Sequence, residues 1–293
     1  MVTVIINPIA GGGGLEAARQ RAALASAVIR SAGEDAQIFI TEGKGHAREL
    51  AGRAAAEGSR LVIAWGGDGT LNEVGCAVAF SETPLALVPS GSGNGLARAL
   101  GIHRRPERAI AEALGAVPRA LDAGELGGRL FFNMAGVGFD AHVAACLDRD
   151  VRNAGRRGFA AYVRIIAREL WTYQSAQYRI DETLTTRRTL LVTFANSSQF
   201  GNGARIAPAA RLDDGRLDLV VFEEQSRFRS VCAVPLLFIG GVTRLRRMSS
   251  RQIERATIAS EVPMVFHVDG EPVQGGPRLD ARVHPGALKV CVR

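Results

Sequence analysis

Lysine is nearly absent from this chain: among 36 basic residues only Lys44 and Lys289 are lysine, and the rest are arginine. A Walker-type phosphate loop needs Gly-Lys-Ser/Thr, and neither lysine sits in that context, so the loop is excluded. Any nucleoside triphosphate would have to be held by backbone amides, arginine and metal. Aromatic residues make up only 6% of the chain, with 3 tyrosines and no stripe of aromatic and basic residues to form a stacking platform. Nucleic acid is therefore not expected as a partner. The 4 cysteines, Cys76, Cys146, Cys232 and Cys291, lie far apart without the paired spacing of zinc or redox sites. They read as free thiols in a reducing cytoplasm. No long hydrophobic run is present either. The longest, Val231 to Val242, contains Pro235 and Gly240-Gly241 and falls short of the roughly 20 residues a spanning helix needs. The N-terminus has no basic start and no apolar h-region, so no secretory signal is expected.

What remains is an ordinary globular composition, 47% hydrophobic and 22% charged, over 293 residues, with room for two domains. The formal charge of +7 suits nucleotides or anionic lipid heads, and fits equally a base-biased genome. Strand and helix signals alternate through the first part. Val2–Ile6, Gln37–Thr41, Leu61–Trp65 and Leu85–Pro89 read as strands, with helices at Leu15–Ala32, Ala47–Ala56, from Leu71, and at Leu96–Leu100. That alternation predicts parallel βαβ units in a doubly wound α/β sheet, with ligands beyond the carboxyl ends of the strands. After Asp122 short strands predominate, at Leu130–Ala135, Gln177–Ile180, Thr189–Ala195, Leu217–Phe222, Ala256–Ala259, Met264–Val268 and Leu288–Val292. Only two helical stretches interrupt them, Phe159–Tyr173 and about Phe228–Thr243, which predicts a mostly antiparallel β-sandwich domain. The boundary is placed at 124/125, with the last strand free to return to the first domain.

Three loops carry the chemistry. Gly66-Gly67-Asp68-Gly69-Thr70 follows an apolar strand and opens a helix. Its glycines let backbone N–H groups approach an anion, and the helix adds its positive end. Asp68 would repel a phosphate unless a divalent cation or a reacting hydroxyl lay between them. Pro89-Ser90-Gly91-Ser92-Gly93-Asn94-Gly95 is a second strand-to-helix cradle, and lacks the Gly-x-Ser-x-Gly of a hydrolase elbow. Asn7-Pro8 with Gly11–Gly14 reads as a nucleotide loop or a flexible turn. Its Gly12-x-Gly14-x-x-Ala17 is a weak dinucleotide match, since the expected acid, Glu42, comes about 30 residues on rather than about 20. Asp269-Gly270 reads as a hairpin turn, with Glu271 beside it as a candidate general base and His267 as a packed strand residue. Leu212-Asp213-Asp214-Gly215 is a turn or a small oxygen-ligand metal site. The stretches Phe159–Ile166 and Pro235–Ile239, flanked by Arg152, Arg156 and Arg157 and by Arg244, Arg246 and Arg247, are either core helices or an apolar mouth suited to anionic bilayers.

In order along nearly the whole chain, Asn7-Pro8, Thr41-Glu42, Gly66–Glu73, Pro89–Asn94, Asp122, Gly138-Phe139-Asp140 and Asp269-Gly270-Glu271 resemble the diacylglycerol kinase catalytic family. That family includes bacterial lipid kinases, sphingosine kinases and ceramide kinases. The resemblance implies an NAD-kinase-like α/β domain and a β-sandwich domain, with ATP and lipid meeting in the cleft. It implies that Asn7, Thr41, Gly66, Gly67, Asp68, Gly69, Thr70, Asn72 and Ser92 hold ATP, and that Asp68 and Asp122 organise Mg²⁺ through waters. Glu271 matches the base proposed in bacterial diacylglycerol kinases, and Asp68 the base assigned in sphingosine kinases. Asp140 matches a polar-head contact. Asp214, with the carbonyls of Arg211 and Arg216, matches a structural metal loop. The implied activity is ATP-dependent phosphorylation of a lipid hydroxyl at the membrane surface, diacylglycerol first, as a step of phospholipid biosynthesis. A cytoplasmic protein, peripheral at the inner membrane face, is implied, and a homodimer is left open. Many bacterial relatives carry Asn-Asp where this chain has Asn94-Gly95, which is closer to the sphingosine and ceramide kinase pattern. A sphingoid-base or ceramide kinase, an NAD kinase-like enzyme and a non-catalytic nucleotide- or lipid-binding regulator stay open beside the first reading.

Overall fold

A computed structural model describes residues 1–154, 159–184, 187–201, 203–238, 241 and 245–292. The chain divides into two compact units, Met1–Leu121 with Gly286–Arg293, and Asp122–Pro285.

The first unit is α/β. Its strands β1 (Val2–Ile6), β2 (Ala36–Ile40), β3 (Leu61–Gly66) and β4 (Leu85–Pro89) are parallel, in the order β2-β1-β3-β4. The end of β18 (Arg278–Cys291) joins beside β4 through Val290 and Leu85. Val2, Val4, Ile6, Leu61, Ile63 and Trp65 share one core with Ala18, Ala25 and Ile29 of α1 (Gly14–Ser31) and with Ile110 of α5 (Pro106–Gly115). The alternate residues Ile5, Val62, Ala64 and Leu87 are buried too, so both faces of the sheet are covered and its strands read as continuous apolar runs. Helices α2 (His46–Ala56) and α3 (Asp68–Val78) pack on each other. Short α4 (Gly95–Ala99) completes the unit. Helix α5 was not expected from the sequence, although Pro106 at its first turn and buried Ala109, Ile110 and Ala113 are its start and face signals.

The second unit is a β-sandwich with helices on one face. An antiparallel sheet runs β14 (Met248–Ile253), β13 (Leu217–Glu223), β10 (Thr189–Ala195), β7 (Met134–Gly138), β16 (Val265–Val268), β17 (Glu271–Gln274). Facing it are β15 (Arg255–Ala259), β8 (Arg179–Ile180), β9 (Thr183–Leu184) and the first part of β18, with β5 (Pro118–Leu126) and β6 (Arg129–Phe131) alongside. Phe194, Val192, Leu219 and Phe266 from one sheet meet Ile258, Leu279, Ala281 and Phe131 from the other in a single core. A small hairpin of β11 (Gln199–Gly201) and β12 (Ala204–Arg205) stands apart. The outer face of the first sheet is covered by α6 (Phe139–Ala154), α7 (Phe159–Thr172) and α8 (Arg227–Phe238) around Phe139, Val143, Ile165, Leu170, Leu190 and Phe222.

The expectation of two helices in this unit needs correction, because α6 is a third. Its buried Phe139, Val143 and Cys146 keep helical spacing. The glycines of Gly136–Gly138 and the charged run from Asp148 masked that pattern in the sequence. Arg156, Arg157, Ile239, Thr243 and Arg244, together with the side chains of Arg152, Phe159–Tyr162 and Pro235, lie outside the described residues.

Candidate active site

In the first unit the loops beyond the sheet touch one another. Gly67 takes an extended conformation, φ −98°, and α3 starts at Asp68, three residues before the Leu71 start expected from the sequence. Gly66 ends β3, and a Cβ there would lie 2.4 Å from the Thr70 side chain. Thr70 Oγ1 accepts a hydrogen bond from Asn7 Nδ2 at 2.8 Å, which joins the ends of β1 and β3. A Cβ on Gly91 would lie 2.6 Å from Gly67 Cα, and one on Gly11 would meet the Ser90 carbonyl at 2.7 Å. Three glycine loops therefore meet by backbone approach that any side chain would block. Thr41, buried at the end of β2, donates its N–H to the Ile6 carbonyl at 2.9 Å. Arg21 donates to the carbonyls of Asn7 and Gly12 at 3.2 and 3.1 Å and so ties down the first loop.

Asp68 has a structural partner that sequence reasoning missed. Its carboxylate accepts the N–H of Asn94 at 2.8 Å and of Gly95 at 2.7 Å, capping α4 from another loop. Gly93 makes room for it, since a Cβ there would sit 2.6 Å from Asp68 Oδ2. Asn94 is left-handed, φ 51°, and its side chain bonds back to Gly91 N and O at 2.9 and 2.7 Å. Glu73 acts likewise: its carboxylate accepts from Gly45 N at 2.8 Å and Ala47 N at 3.2 Å at the start of α2. Asn72 Oδ1 accepts from the Cys76 thiol at 3.5 Å. Ser92 is exposed in the second loop, and Ser90 Oγ is buried there without a hydrogen-bond partner.

In the second unit, Asp122 on β5 is buried and hydrogen-bonded to the Leu212–Arg216 loop. Its N–H donates to the Leu212 carbonyl and its Oδ2 accepts from Gly215 N, each at 2.7 Å. Asp214 accepts from Arg216 N at 3.1 Å and Gln252 Nε2 at 3.0 Å. Asp213 Oδ1 accepts from Arg211 Nε at 3.4 Å. Burial, and then the negative charge of Asp214, push the nearby Asp218 carboxyl above its ordinary range. The carboxylates of Asp122, Asp213, Asp214 and Asp218 thus gather around this loop.

Glu271 is half-buried as the first residue of β17, opposite Val268 across the Asp269-Gly270 turn. Both turn residues have positive φ, 48° and 84°, as a type I′ hairpin requires. The Asp269 carboxylate accepts the N–H groups of Phe132, Asn133 and Met134 at 2.8–3.0 Å, which pins the turn to the segment leading into β7. Asp140 lies in the first turn of α6 with its side chain 2% exposed. It accepts from Ala141 N at 2.8 Å and Thr193 Oγ1 at 2.9 Å, and stands 3.3 Å from His267 Nε2. His267 Nδ1 accepts the Gly270 N–H at 3.3 Å, so the ring proton sits on Nε2 and is donated to Asp140. Gly136 is required beneath this carboxylate, because a Cβ there would lie 2.4 Å from Asp140 Oδ2. Burial first, and then the charge of Asp140, push the Tyr178 phenol up to about 12.

Asp140 also forms part of the wall of an apolar cavity of about 130 Å³ between the helices and the sheet. Val143, Ile166, Leu170, Phe222 and Leu237 line it, and Asp140 is the one charged residue in its wall among the described residues. Neither the cavity nor the hydrogen bonds of Asp269 and Glu73 had a local signal in the sequence.

Comparison with known proteins agrees with this geometry. Residues 1–126 match the diacylglycerol kinase catalytic domain, and residues 133–292 match the YegS C-terminal NAD kinase beta sandwich-like domain. The "Probable lipid kinase YegS-like" of Pseudomonas aeruginosa is 32% identical over 94% of this chain and 91% of its own length. That of Pseudomonas savastanoi pv. phaseolicola is 33% identical over 89% of this chain and 85% of its own. The crystal structure of a diacylglycerol kinase from Bacillus anthracis superposes with a TM-score of 0.74 over 100% of this chain and 96% of that one, at 19% identity. The chain therefore belongs to the YegS-like lipid kinases, which combine a diacylglycerol kinase catalytic domain with an NAD-kinase-like β-sandwich.

Proposed function

We propose that this protein transfers the γ-phosphoryl group of ATP to the primary hydroxyl of a membrane lipid, with diacylglycerol as the first substrate and phosphatidic acid as the product. The observation that carries the lipid half of this reading is the apolar cavity walled by Asp140, which suits a chain-bearing alcohol and does not suit a soluble dinucleotide. The nucleotide half rests on the loops around Gly66 and Gly91, where only glycine leaves the backbone open.

In this reading Asn7, Thr41, Gly66, Gly67, Gly69, Thr70, Asn72 and Ser92 hold ATP. Asp68 and Asp122 would each supply carboxylate oxygens to organise Mg²⁺ through waters, and Asp214 with the Arg211 and Arg216 carbonyls would hold a structural metal. When bound, the catalytic Mg²⁺ would neutralise charge developing on the phosphate oxygens. Asp68 would then have a double role, since the carboxylate that would organise the metal also holds the α4 loop in place. Glu271 takes the proton of the lipid hydroxyl as oxygen attacks the γ-phosphorus and ADP leaves. Its turn is held rigid by Asp269 and His267. The protein works in the cytoplasm, peripheral to the inner membrane face.

A base of this kind contributes roughly 10²–10⁴-fold. Glu271→Ala is expected to lower turnover on that scale with ATP affinity nearly unchanged, as steady-state kinetics and nucleotide titration would measure. Wild-type turnover in the variant would remove Glu271 from the role. ATP turnover against diacylglycerol, sphingosine, ceramide, undecaprenol and NAD, with Asp68→Ala as the inactive control, tests the substrate. A sphingoid base is the second reading, favoured by the buried carboxylate of Asp140 in the cavity wall, which would complement an amine. Turnover of NAD alone, or ATP binding with no turnover at all, would overturn the lipid-kinase assignment.

A further inference from the structure

Helix α8 is apolar on two opposite sides. Ser230, Ala233 and Leu237 face the cavity. Phe228 and Val231 fall within roughly 60° of one another on the other side, and Phe238 stands between the two faces, lining the cavity and reaching solvent. Those three are 74%, 41% and 38% exposed. A surface helix ordinarily hides its one apolar stripe and turns a polar face to water. Helix α7 differs: Ile166 and Leu170 face the cavity, and Val163, Ala167 and Trp171, at i, i+4 and i+8, carry the same apolar face round to solvent, the two sets centred roughly 80° apart. Val163 and Phe238 both line the cavity and reach solvent, so the exposed stripes adjoin its mouth. Arg227 and Arg229 flank Phe228, are exposed, and have no carboxylate partner among the described residues; Arg164 is exposed on α7.

We propose that the outer faces of α7 and α8 are the surface by which this protein docks on an anionic phospholipid bilayer, seating the cavity mouth against the lipid. The inference deepens the lipid-kinase reading and rests on it for its purpose. Phe228 and Trp171 are side chains that partition into the acyl–headgroup boundary, and Arg227 and Arg229, without a carboxylate partner among the described residues, match anionic headgroups beside Phe228. A second copy of the chain is the poorer occupant, because it would bring the same arginines against themselves on a molecule of formal charge +7.

The test uses the full chain without ATP and vesicles of phosphatidylcholine, with or without phosphatidylglycerol, in co-sedimentation. Wild-type protein is expected to bind the anionic vesicles and to lose binding with added salt. Phe228→Ser or Trp171→Ser should each weaken binding at least tenfold, as expected for an interfacial aromatic. Arg227→Glu with Arg229→Glu should lose at least tenfold on anionic vesicles and little on neutral ones. A bilayer-resident quencher should reach Trp171 and not the buried Trp65. Circular dichroism melts and turnover of a water-soluble short-chain diacylglycerol should stay at wild-type values. Unchanged vesicle binding in these variants, or absence of wild-type binding while short-chain diacylglycerol is still phosphorylated, overturns the docking face. A wild-type dimer that Phe228→Ser dissociates, seen by light scattering, would overturn it as well. Absence of turnover on any lipid, with vesicle binding intact, would count against the kinase reading alone.

Discussion

Asp68, Glu73 and Asp269 each hold backbone donors far away in sequence. Asp68 closes the start of α4, Glu73 the start of α2, and Asp269 the segment before β7. Helices α2 and α4 begin after Gly45 and Asn94, neither of which supplies a side-chain cap, so the acids act in their place. Glu73→Ala is expected to lower stability by about 1 kcal/mol, the usual value of a lost cap, in urea unfolding. Asp68→Asn should keep part of the loop geometry and lose turnover, whereas Asp68→Ala should also loosen residues 91–95 in hydrogen exchange. Equal exchange in the two variants would separate Asp68 from that loop. The Gly-Gly-Asp-Gly-Thr run announced a tight strand-to-helix turn from its own residues, because glycine and a helix start are local facts. The cap partners were hidden, because a carboxylate's acceptor role depends on which loop folds against it.

Among the elements, the second unit shows how side chains bind strands that are remote in sequence. Burial alone would raise Glu125 on β5, yet hydrogen bonds from Arg282 and His284 on β18 hold its carboxyl below the ordinary range. A carboxylate depressed in the folded state adds stability above its unfolded pKa and loses it as pH falls through the folded value. Glu125→Gln should therefore lower the melting temperature at neutral pH, with a difference from wild type that shrinks on acidification. A pH-independent difference would show that packing, not ionisation, is responsible. The Asp269-Gly270 turn was legible as a hairpin from two residues, and positive φ at both agrees with it. Asp269→Ala strands three backbone N–H groups and should cost about 3 kcal/mol in denaturant unfolding. Helix α6 escaped the sequence reading because its glycine-rich entry and charged tail diluted a buried face that only packing against β7 and β10 makes plain.

For the molecule as a whole, the chain's last stretch belongs with its first. Leu288, Val290 and Cys291 are buried, and Val290 pairs with Leu85 of β4, so the α/β unit is closed by residues from the other end of the sequence. Removing 286–293 should expose β4 and destabilise that unit by roughly 4 kcal/mol, on the scale of two or three lost core side chains. Nucleotide binding should fall with it, while the β-sandwich core melts as before in calorimetry. Loss of both transitions together would mean that the units unfold as one.

By itself the sequence determined the alternation of strands and helices, the glycine loops at the strand ends, the turn beside Glu271 and the family motifs, since each depends on period, glycine or local order. Tertiary structure alone decided which acids act as caps, which glycine faces which carboxylate, and that Asp140 stands in the wall of an apolar cavity. Those are contacts between residues dozens of positions apart, and their energies come from burial and hydrogen bonding that no local pattern encodes.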